Sequence, residues 1–183
     1  MIDPHKRPVL GDETLRLRAP VLADVDARLA LGVHPEIVKM FGTIVAPETA
    51  YSKSLAEAWV DSQPKTPLAF IIEHDGNLAG AVRLHSVDMH DQRCNLAIGL
   101  LDPAFLGRGI GSRAMELIVN HAFGELGLNR ITVRVLDYNT RAIAAYTKLG
   151  FVVEGRERQA ARVGDVYHDD IIMGLLASEW RPC

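Results

Sequence analysis

A glycine-rich loop between an apolar segment and a helical pattern constrains the fold of this chain more than any other feature. The apolar segment 96–101 stops at an Asp-Pro pair, glycines follow at positions 107, 109 and 111, and a helical pattern then begins. Glycines leave room for a ligand to approach backbone N–H groups, and the unpaired amides at a helix N-terminus favour an anion. The order strand, glycine turn, helix therefore predicts a phosphate-binding loop. The alternative is a tight turn that binds nothing.

Two common phosphate-binding motifs do not match this loop. A P-loop ends in Gly-Lys-Ser/Thr, whereas Gly111 is followed directly by Ser112, without the lysine. In the dinucleotide motif Gly-x-Gly-x-x-Gly, Ala114 stands at the third glycine when counting begins at Gly109. A Rossmann-type nucleotide binder is therefore kept only as an alternative, which a measurement of NAD binding decides.

A second motif follows between Asn139 and Phe151. Asn139 is a favourable N-cap and Gly150 a favourable residue just beyond a helix C-terminus. The residues between them predict one helix of about three turns. Phe151-Val152-Val153 then begins a predicted strand.

Together the two segments resemble the GNAT superfamily of acyl-CoA-dependent N-acetyltransferases. The family's loop, Gln/Arg-x-x-Gly-x-Gly/Ala, is matched by residues 106–111 except at its first position, which is Leu106. Its later motif, Asn-x-x-Ala-x-x-x-Tyr-x-x-x-Gly-Phe, is matched by Asn139, Ala142, Tyr146, Gly150 and Phe151. Residues 153–156 and 167–173 are similar to the ribosomal-protein and polyamine acetyltransferase branch. The resemblance extends over roughly residues 13–180.

Bulk composition agrees with a small enzyme. We expect a single acetyltransferase domain over residues 1–183, because this length is typical of one domain and the hydrophobic content of 48% supplies a full core. No stretch approaches 18 consecutive apolar residues, and the first residues lack an apolar signal core. Cys94 and Cys183 form neither a disulfide framework nor a metal site. We therefore expect a cytoplasmic protein without a bound metal.

The net charge of −3, without a long basic run, argues against a nucleic-acid partner. It mildly favours a cationic amine as substrate. We expect a small-molecule or peptide N-terminal amine as the acceptor and no membrane partner, and leave a homodimer open.

Hydrophobic periodicity predicts one alternating α/β (α+β) unit. Strands are predicted at 14–18, 68–73, 78–85, 95–101, 129–136, about 152–160 and 166–176. Helices are predicted at 20–31, 47–62, from about Ile110, and from Asn139. The GNAT resemblance implies a mixed, mostly antiparallel sheet flanked by helices, with the fourth and fifth strands splayed apart.

The resemblance implies acetyl-CoA as cosubstrate. Its pantetheine would lie in the gap between the splayed strands, paired with the backbone of Gly99, Leu100 and Leu101. Its pyrophosphate would lie on the loop, with cofactor-binding residues Gly107, Arg108, Gly109, Gly111 and Ser112. Arg108 is alternatively a solvated surface arginine. In the family the asparagine at Asn139 also contacts the cofactor.

Tyr146 is the predicted catalytic residue, because a phenol at this family position can protonate the departing CoA thiolate. Its alternative role is to pack between helix and sheet. A free backbone N–H near Gly99 or Leu100 would polarise the thioester carbonyl.

The general base is not evident from the sequence. Many relatives carry a glutamate on the fourth strand, but the corresponding positions here are Asn95 and Ala97. Other candidate bases lie on or just after the hairpin strands: Glu73, His85, Asp88, His90 and Asp91. The candidate substrate residues are His85, Asp169 and Asp170, the last two binding either a cationic amine or a neighbouring arginine such as Arg156 or Arg158.

The predicted reaction is direct acetyl transfer to a primary amine in a ternary complex. The acceptor is left open among a protein N-terminus, a polyamine, an amino acid and an antibiotic. Because the glutamate is missing, a non-catalytic acyl-CoA-binding module of the same fold is the alternative.

Overall fold

Eight β-strands form one sheet in the computed structural model of this protein, which describes residues 7–46, 50–63, 65 and 68–182. The strands are β1 (Leu10–Gly11), β2 (Leu15–Arg18), β3 (Leu68–His74), β4 (Asn77–Asp88), β5 (Arg93–Leu100), β6 (Arg130–Leu136), β7 (Val152–Val163) and β8 (Val166–Leu176). The α-helices are α1 (Asp24–Leu31), α2 (Pro35–Lys39), α3 (Lys53–Ser62), α4 (Ile110–Asn120) and α5 (Thr140–Lys148). A 3₁₀ turn (Pro103–Phe105) precedes α4, and a π-helical turn (His121–Glu125) follows it.

The strand order is β1-β2-β3-β4-β5-β6-β8-β7, and every neighbouring pair is antiparallel except β5 and β6. These two parallel strands pair at only three positions, the last being Asn95 with Thr132. Beyond Asn95, β5 stays paired with β4 and β6 stays paired with β8, so a gap opens inside the sheet. The predicted fold class and the splay between the fourth and fifth predicted strands are confirmed. They are the fifth and sixth strands here because the two-residue β1 precedes them.

Two helices differ from their predicted starts. α1 begins at Asp24 rather than at Pro20, because the Asp24 carboxylate accepts a hydrogen bond from the backbone N–H of Val21 (2.8 Å) and Leu22 is 86% exposed. α3 begins after Ser52, whose Oγ accepts the Leu55 N–H. The predicted helical segment 47–49 lies outside the described residues, as does Pro64, before which that helix was expected to end.

Helices pack on both faces of the sheet. The main hydrophobic core lies on the side of α4 and α5, where Ile118 and Tyr146 join strand residues such as Leu96 and Val133. A smaller core of Val25, Ala56 and Val60 connects α1 and α3 on the opposite side. We call these sides the α4 face and the α2 face. The segment 40–44 after α2 lies on the α2 face.

Cys94 belongs to the main core and is 2% exposed. Burial raises the pKa of its thiol to about 12, so it stays protonated and unreactive at neutral pH. Cys183 lies outside the described residues.

A partly buried ion-pair network stabilises the sheet next to α1. Glu73 on β3 is 7% exposed and accepts hydrogen bonds from Arg16 (2.5 Å) and from Arg18. Arg18 also binds the Asp24 carboxylate at 2.7 Å. Burial favours a higher pKa for Glu73, but the hydrogen bonds and charges of the two arginines outweigh it and hold this pKa below its usual value. Both carboxylate oxygens are thus occupied, which makes Glu73 a structural residue.

We expect Glu73→Gln to lower the free energy of unfolding by about 2 kcal/mol at pH 7, because the carboxylate charge is lost and the amide NH2 group cannot accept the hydrogen bond of the second arginine. Since the folded-state pKa of Glu73 is depressed, its contribution is complete above the unfolded-state pKa and is lost as the pH falls through the folded-state value. Urea unfolding of both proteins should therefore show a difference that shrinks below about pH 4. A difference independent of pH would contradict an ionic role for Glu73.

Candidate active site

A cavity of about 910 Å³ lies where β5 and β6 separate. Its walls come from both strands, the glycine loop before α4, one side of α5 and the segment 40–42. It brings together most of the sequence-predicted site residues: Gly99, Leu100, Gly107, Gly109, Gly111, Ser112, Asn139, Tyr146 and Asp170.

Leu101 and Arg108 do not line this cavity. The backbone N–H of Leu101 donates to the carbonyl of Ala79 at 3.0 Å, so it is not free to pair with a ligand. This corrects the expectation for Leu101, and the cause is that pairing between β4 and β5 continues one residue past the strand end. Arg108 is exposed.

The register of β5 on β4 shows which amides face the gap. Residues of an antiparallel pair exchange backbone hydrogen bonds at alternate positions. Since Leu101 bonds to Ala79, the pairs Gly99–Ala81 and Ala97–Arg83 are also hydrogen-bonded. The backbone groups of Ile98 and Leu100 therefore point away from β4 and into the gap, whereas those of Gly99 do not. The free amide expected near Gly99 or Leu100 thus belongs to Leu100, and Ile98 supplies a second one.

Gly99 has a different role. A Cβ at this position would lie 2.7 Å from the Phe41 ring, so the glycine lets the segment after α2 approach the sheet.

The three glycines of the loop have different roles. Gly107 and Gly109 have φ of +72° and +77°, a region that favours glycine. Gly111 does not have a positive φ. A Cβ at this position would contact only Leu100 Cδ1, at an ordinary van der Waals distance of 3.8 Å. Neither backbone conformation nor internal packing requires a glycine at Gly111. Its lack of a side chain leaves room for a molecule outside the chain.

The N-terminus of α4 is open to that space. The first amide bonded within the helix is that of Arg113, which donates to the Gly109 carbonyl at 3.0 Å. The three preceding N–H groups have no helical acceptor, the N-cap Gly109 offers no side chain, and the first turn of α4 contains no acidic residue. This arrangement suits a phosphate group.

Tyr146 packs in the main core and also lines the cavity. It is 6% exposed, and its ring lies 5.6 Å from that of Phe151 in the main core. It also lines the cavity, and its hydroxyl forms no hydrogen bond with a described residue. Burial raises the pKa of this hydroxyl to about 12, so the phenol is protonated at neutral pH.

The three candidate substrate residues lie in different surroundings. His85, on β4 outside the cavity, has its Nδ1 3.2 Å from Ser86 Oγ, and burial together with Arg83 lowers its pKa. Asp169 is also outside the cavity and accepts hydrogen bonds from Arg156 (2.8 Å) and from the Gln159 N–H. Asp170 lines the cavity, is 3% exposed, and lies 2.5 Å from Arg134 Nε.

The remaining candidate bases are also outside the cavity. Asp88 accepts hydrogen bonds from the backbone amides of His90 and Asp91, while Glu73 lies in the network with Arg16 and Arg18. Many relatives carry a glutamate at the position of Asn95 or Ala97, and of these two residues Ala97 lines the cavity.

Asn139 joins α5 to the segment after α2. Its Oδ1 accepts the Ala142 N–H at 3.2 Å, which caps α5. Its Nδ2 donates to the Met40 carbonyl at 3.4 Å. Asn139 therefore links the cavity wall formed by α5 to the wall formed by residues 40–42.

We expect Asn139→Ala to cost about 1 kcal/mol of unfolding free energy through loss of the cap. Asn139→Asp is the matched control, because an aspartate caps a helix equally well but cannot donate to Met40. Thermal unfolding measures the first effect. If the side chain also contacts acetyl-CoA, calorimetry should show weaker binding in the alanine variant. A lower melting temperature with intact affinity would leave only the capping role.

Sequence reasoning missed several cavity residues. One side of α5 faces the cavity with Arg141, Ala145 and Lys148. Their i, i+4, i+7 spacing is the sequence pattern that could have predicted a shared helix face. Arg83 lies on β4 at a position that strand alternation assigns to the same face as Ala81 and His85. No sequence signal indicates Phe41, because its place depends on how α2 packs.

Comparison with known proteins agrees with this geometry. The family model described as an acetyltransferase (GNAT) domain matches residues 14–152. The chain belongs to the GNAT acetyltransferase family. The prediction from the glycine loop and the Asn139 motif is thereby confirmed.

This GNAT protein has curated relatives of both kinds that the predicted ribosomal-protein and polyamine acetyltransferase branch contains. It is 31% identical over 108 residues to a Bacillus subtilis protein named as a ribosomal N-acetyltransferase, a match that covers 59% of this chain and 58% of the relative. It is 32% identical over 114 residues to the spermidine N(1)-acetyltransferase of Escherichia coli, covering 62% of this chain and 56% of the relative. The matches thus span less than three fifths of the relatives' lengths.

A solved structure shares the fold. The spermidine N-acetyltransferase of Vibrio cholerae, determined in complex with CoA and spermine, superimposes with a TM-score of 0.75 at 23% identity, covering 92% of this chain and 98% of that one. Among the described residues of the present structure, no helix has the length and apolar character needed to cross a membrane.

Proposed function

We propose that this protein is an acetyl-CoA-dependent N-acetyltransferase that transfers the acetyl group directly to a primary amine. The observation that carries the proposal is the continuous cavity from the open edge of β5 to the N-terminus of α4, which no side chain caps, in a member of the GNAT family. Both the named relatives and the CoA-bound structural neighbour support this activity.

The cavity walls fit the parts of acetyl-CoA. The free backbone groups of Ile98 and Leu100 can pair with pantetheine amides as an added strand would. The amides of Gly111 and Ser112, at the start of α4, suit the pyrophosphate. Arg141 and Lys148, exposed along the cavity side of α5, add positive charge for the phosphates.

An amide of the same open edge would polarise the thioester carbonyl. As the amine attacks, negative charge develops on this oxygen, and a preorganised N–H donor stabilises it. Leu100 is the residue whose N–H lies nearest the loop among those that face the gap.

Tyr146 is placed to stabilise the departing sulfur. A thiol has a pKa of about 8.5, so full proton transfer from a phenol with a pKa of about 12 to a thiolate costs about 5 kcal/mol. We therefore propose that the hydroxyl donates a hydrogen bond to the sulfur while the C–S bond breaks. The amine nitrogen loses one proton when the amide forms, and the CoA sulfur gains one proton when the thiol is released, so the overall reaction balances.

The acceptor amine is proposed to react in its neutral form without a dedicated base. Ala97 has no proton acceptor, and Asp170, the carboxylate among the described cavity residues, is paired with Arg134. Asp170 is better placed to orient the amine than to remove its proton.

The experiment is release of the CoA thiol from acetyl-CoA with a panel of primary amines, with reactions lacking the amine as controls. Turnover with at least one amine supports the proposal. Tight acetyl-CoA binding without turnover on the panel would favour the non-catalytic module. The mostly antiparallel sheet already excludes the Rossmann alternative. For a neutral-amine mechanism, the midpoint of kcat/KM against pH should follow the pKa of each acceptor amine. A midpoint common to all amines would instead indicate a protein base.

A further inference from the structure

Positive charge dominates the cavity. The described residues that line it include one carboxylate, Asp170. They also include five basic side chains: Arg83, Arg134, Arg141, Lys148 and Arg162. Such a surrounding repels a polycation. The overall charge of the chain, which mildly favours a cationic amine, does not describe this local environment.

Four of the five cations have an evident role. Arg141 and Lys148 lie on α5, on the α4 face, where the phosphates of the cosubstrate are proposed to bind. Arg134 is 2.5 Å from the Asp170 carboxylate, and Arg162 is 2.8 Å from that of Asp165. Arg83 differs, because it forms no hydrogen bond or ion pair with any described residue.

Arg83 also lies on the other side of the sheet from the phosphate-binding loop. It pairs with Ala97 across β4 and β5, and directly paired residues point to the same face. Its neighbours on β4, Val82 and Leu84, point into the main core beneath α4. The Arg83 side chain therefore projects from the α2 face, opposite the N-terminus of α4.

We infer that the acceptor is an amine that also carries an anionic group, a carboxylate or a phosphate, and that Arg83 binds this group. The inference rests on the proposed acetyltransferase function. The planar guanidinium of an arginine donates two parallel hydrogen bonds to either anion. Arg83 lies on the α2 face, next to the gap where the thioester would lie, and no described residue pairs with it. A cation in this place suits an anionic group attached close to the reacting nitrogen. Polyamines are disfavoured by the same charge.

Matched acceptors test the anionic group. Glycine is compared with glycinamide, phosphoethanolamine with ethanolamine, and all four with spermidine. We expect one anionic acceptor to exceed its neutral partner by at least about tenfold in kcat/KM, in line with a charged hydrogen bond, and to exceed spermidine. The pair that shows the preference distinguishes carboxylate from phosphate.

Arg83→Gln tests the residue. We expect KM for the preferred anionic acceptor to rise about tenfold, with little change for its neutral partner and unchanged acetyl-CoA affinity by calorimetry. Arg93→Gln is the control, because Arg93 lies on β5 outside the cavity and pairs with Asp91 at 3.3 Å. This variant should behave as the wild type.

Two results would overturn the inference while the acetyltransferase function stands: neutral amines or spermidine reacting as well as the anionic acceptors, or Arg83→Gln affecting both members of a pair equally. Absence of turnover with every amine would instead overturn the proposed function and the inference together.

Discussion

Tyr146→Phe is expected to lower kcat by about 100-fold while acetyl-CoA affinity stays within a few-fold of wild type. The hydroxyl is protonated, faces the cavity and has no partner among the described residues, so it is available to the departing sulfur. The hydrogen bond forms as the C–S bond breaks, so kcat and kcat/KM should fall together.

Packing does not account for such a loss. Phenylalanine keeps the ring that contacts Phe151 in the core, so the melting temperature should change little. Tyr167→Phe is the matched control, because Tyr167 is 58% exposed on β8 and does not line the cavity. A Tyr146→Phe enzyme with near-normal kcat would show that the tyrosine only packs and that solvent protonates the thiolate.

Gly111→Glu is expected to weaken acetyl-CoA binding by at least about 100-fold, because it places a carboxylate where the pyrophosphate is proposed to lie. The same carboxylate is favourable in the first turn of a helix, so the folded state should be retained. Calorimetry measures the affinity, and thermal unfolding confirms that the variant is folded.

Gly111→Ala separates charge from bulk. Its Cβ meets Leu100 Cδ1 at 3.8 Å, an ordinary contact, so a methyl group is accommodated within the protein. We expect this variant to retain affinity within about tenfold. Gly109→Glu should also block binding, but its φ of +77° adds backbone strain that complicates the result. Unchanged affinity in a folded Gly111→Glu protein would show that the pyrophosphate binds elsewhere.

The sequence by itself determined the features that depend on a few neighbouring residues. The glycine loop, the Asn139 cap and the position of Tyr146 could be predicted because positive φ, capping and helical spacing are local properties. The family motifs, which combine these features in one order, then implied the sheet and its gap.

The tertiary structure decided which groups are free. The register of β5 on β4 uses the Leu101 amide and leaves those of Ile98 and Leu100 open, and nothing in the local sequence specifies that register. Glu73 is occupied by Arg16 and Arg18, which are more than 50 residues away in the chain. Ion pairs between such distant residues, and the absence of one between Arg83 and any described residue, depend on how strands from different parts of the chain meet. For that physical reason the sequence located the loop proposed to bind the cosubstrate, whereas only the assembled sheet showed the charge on the proposed acceptor side.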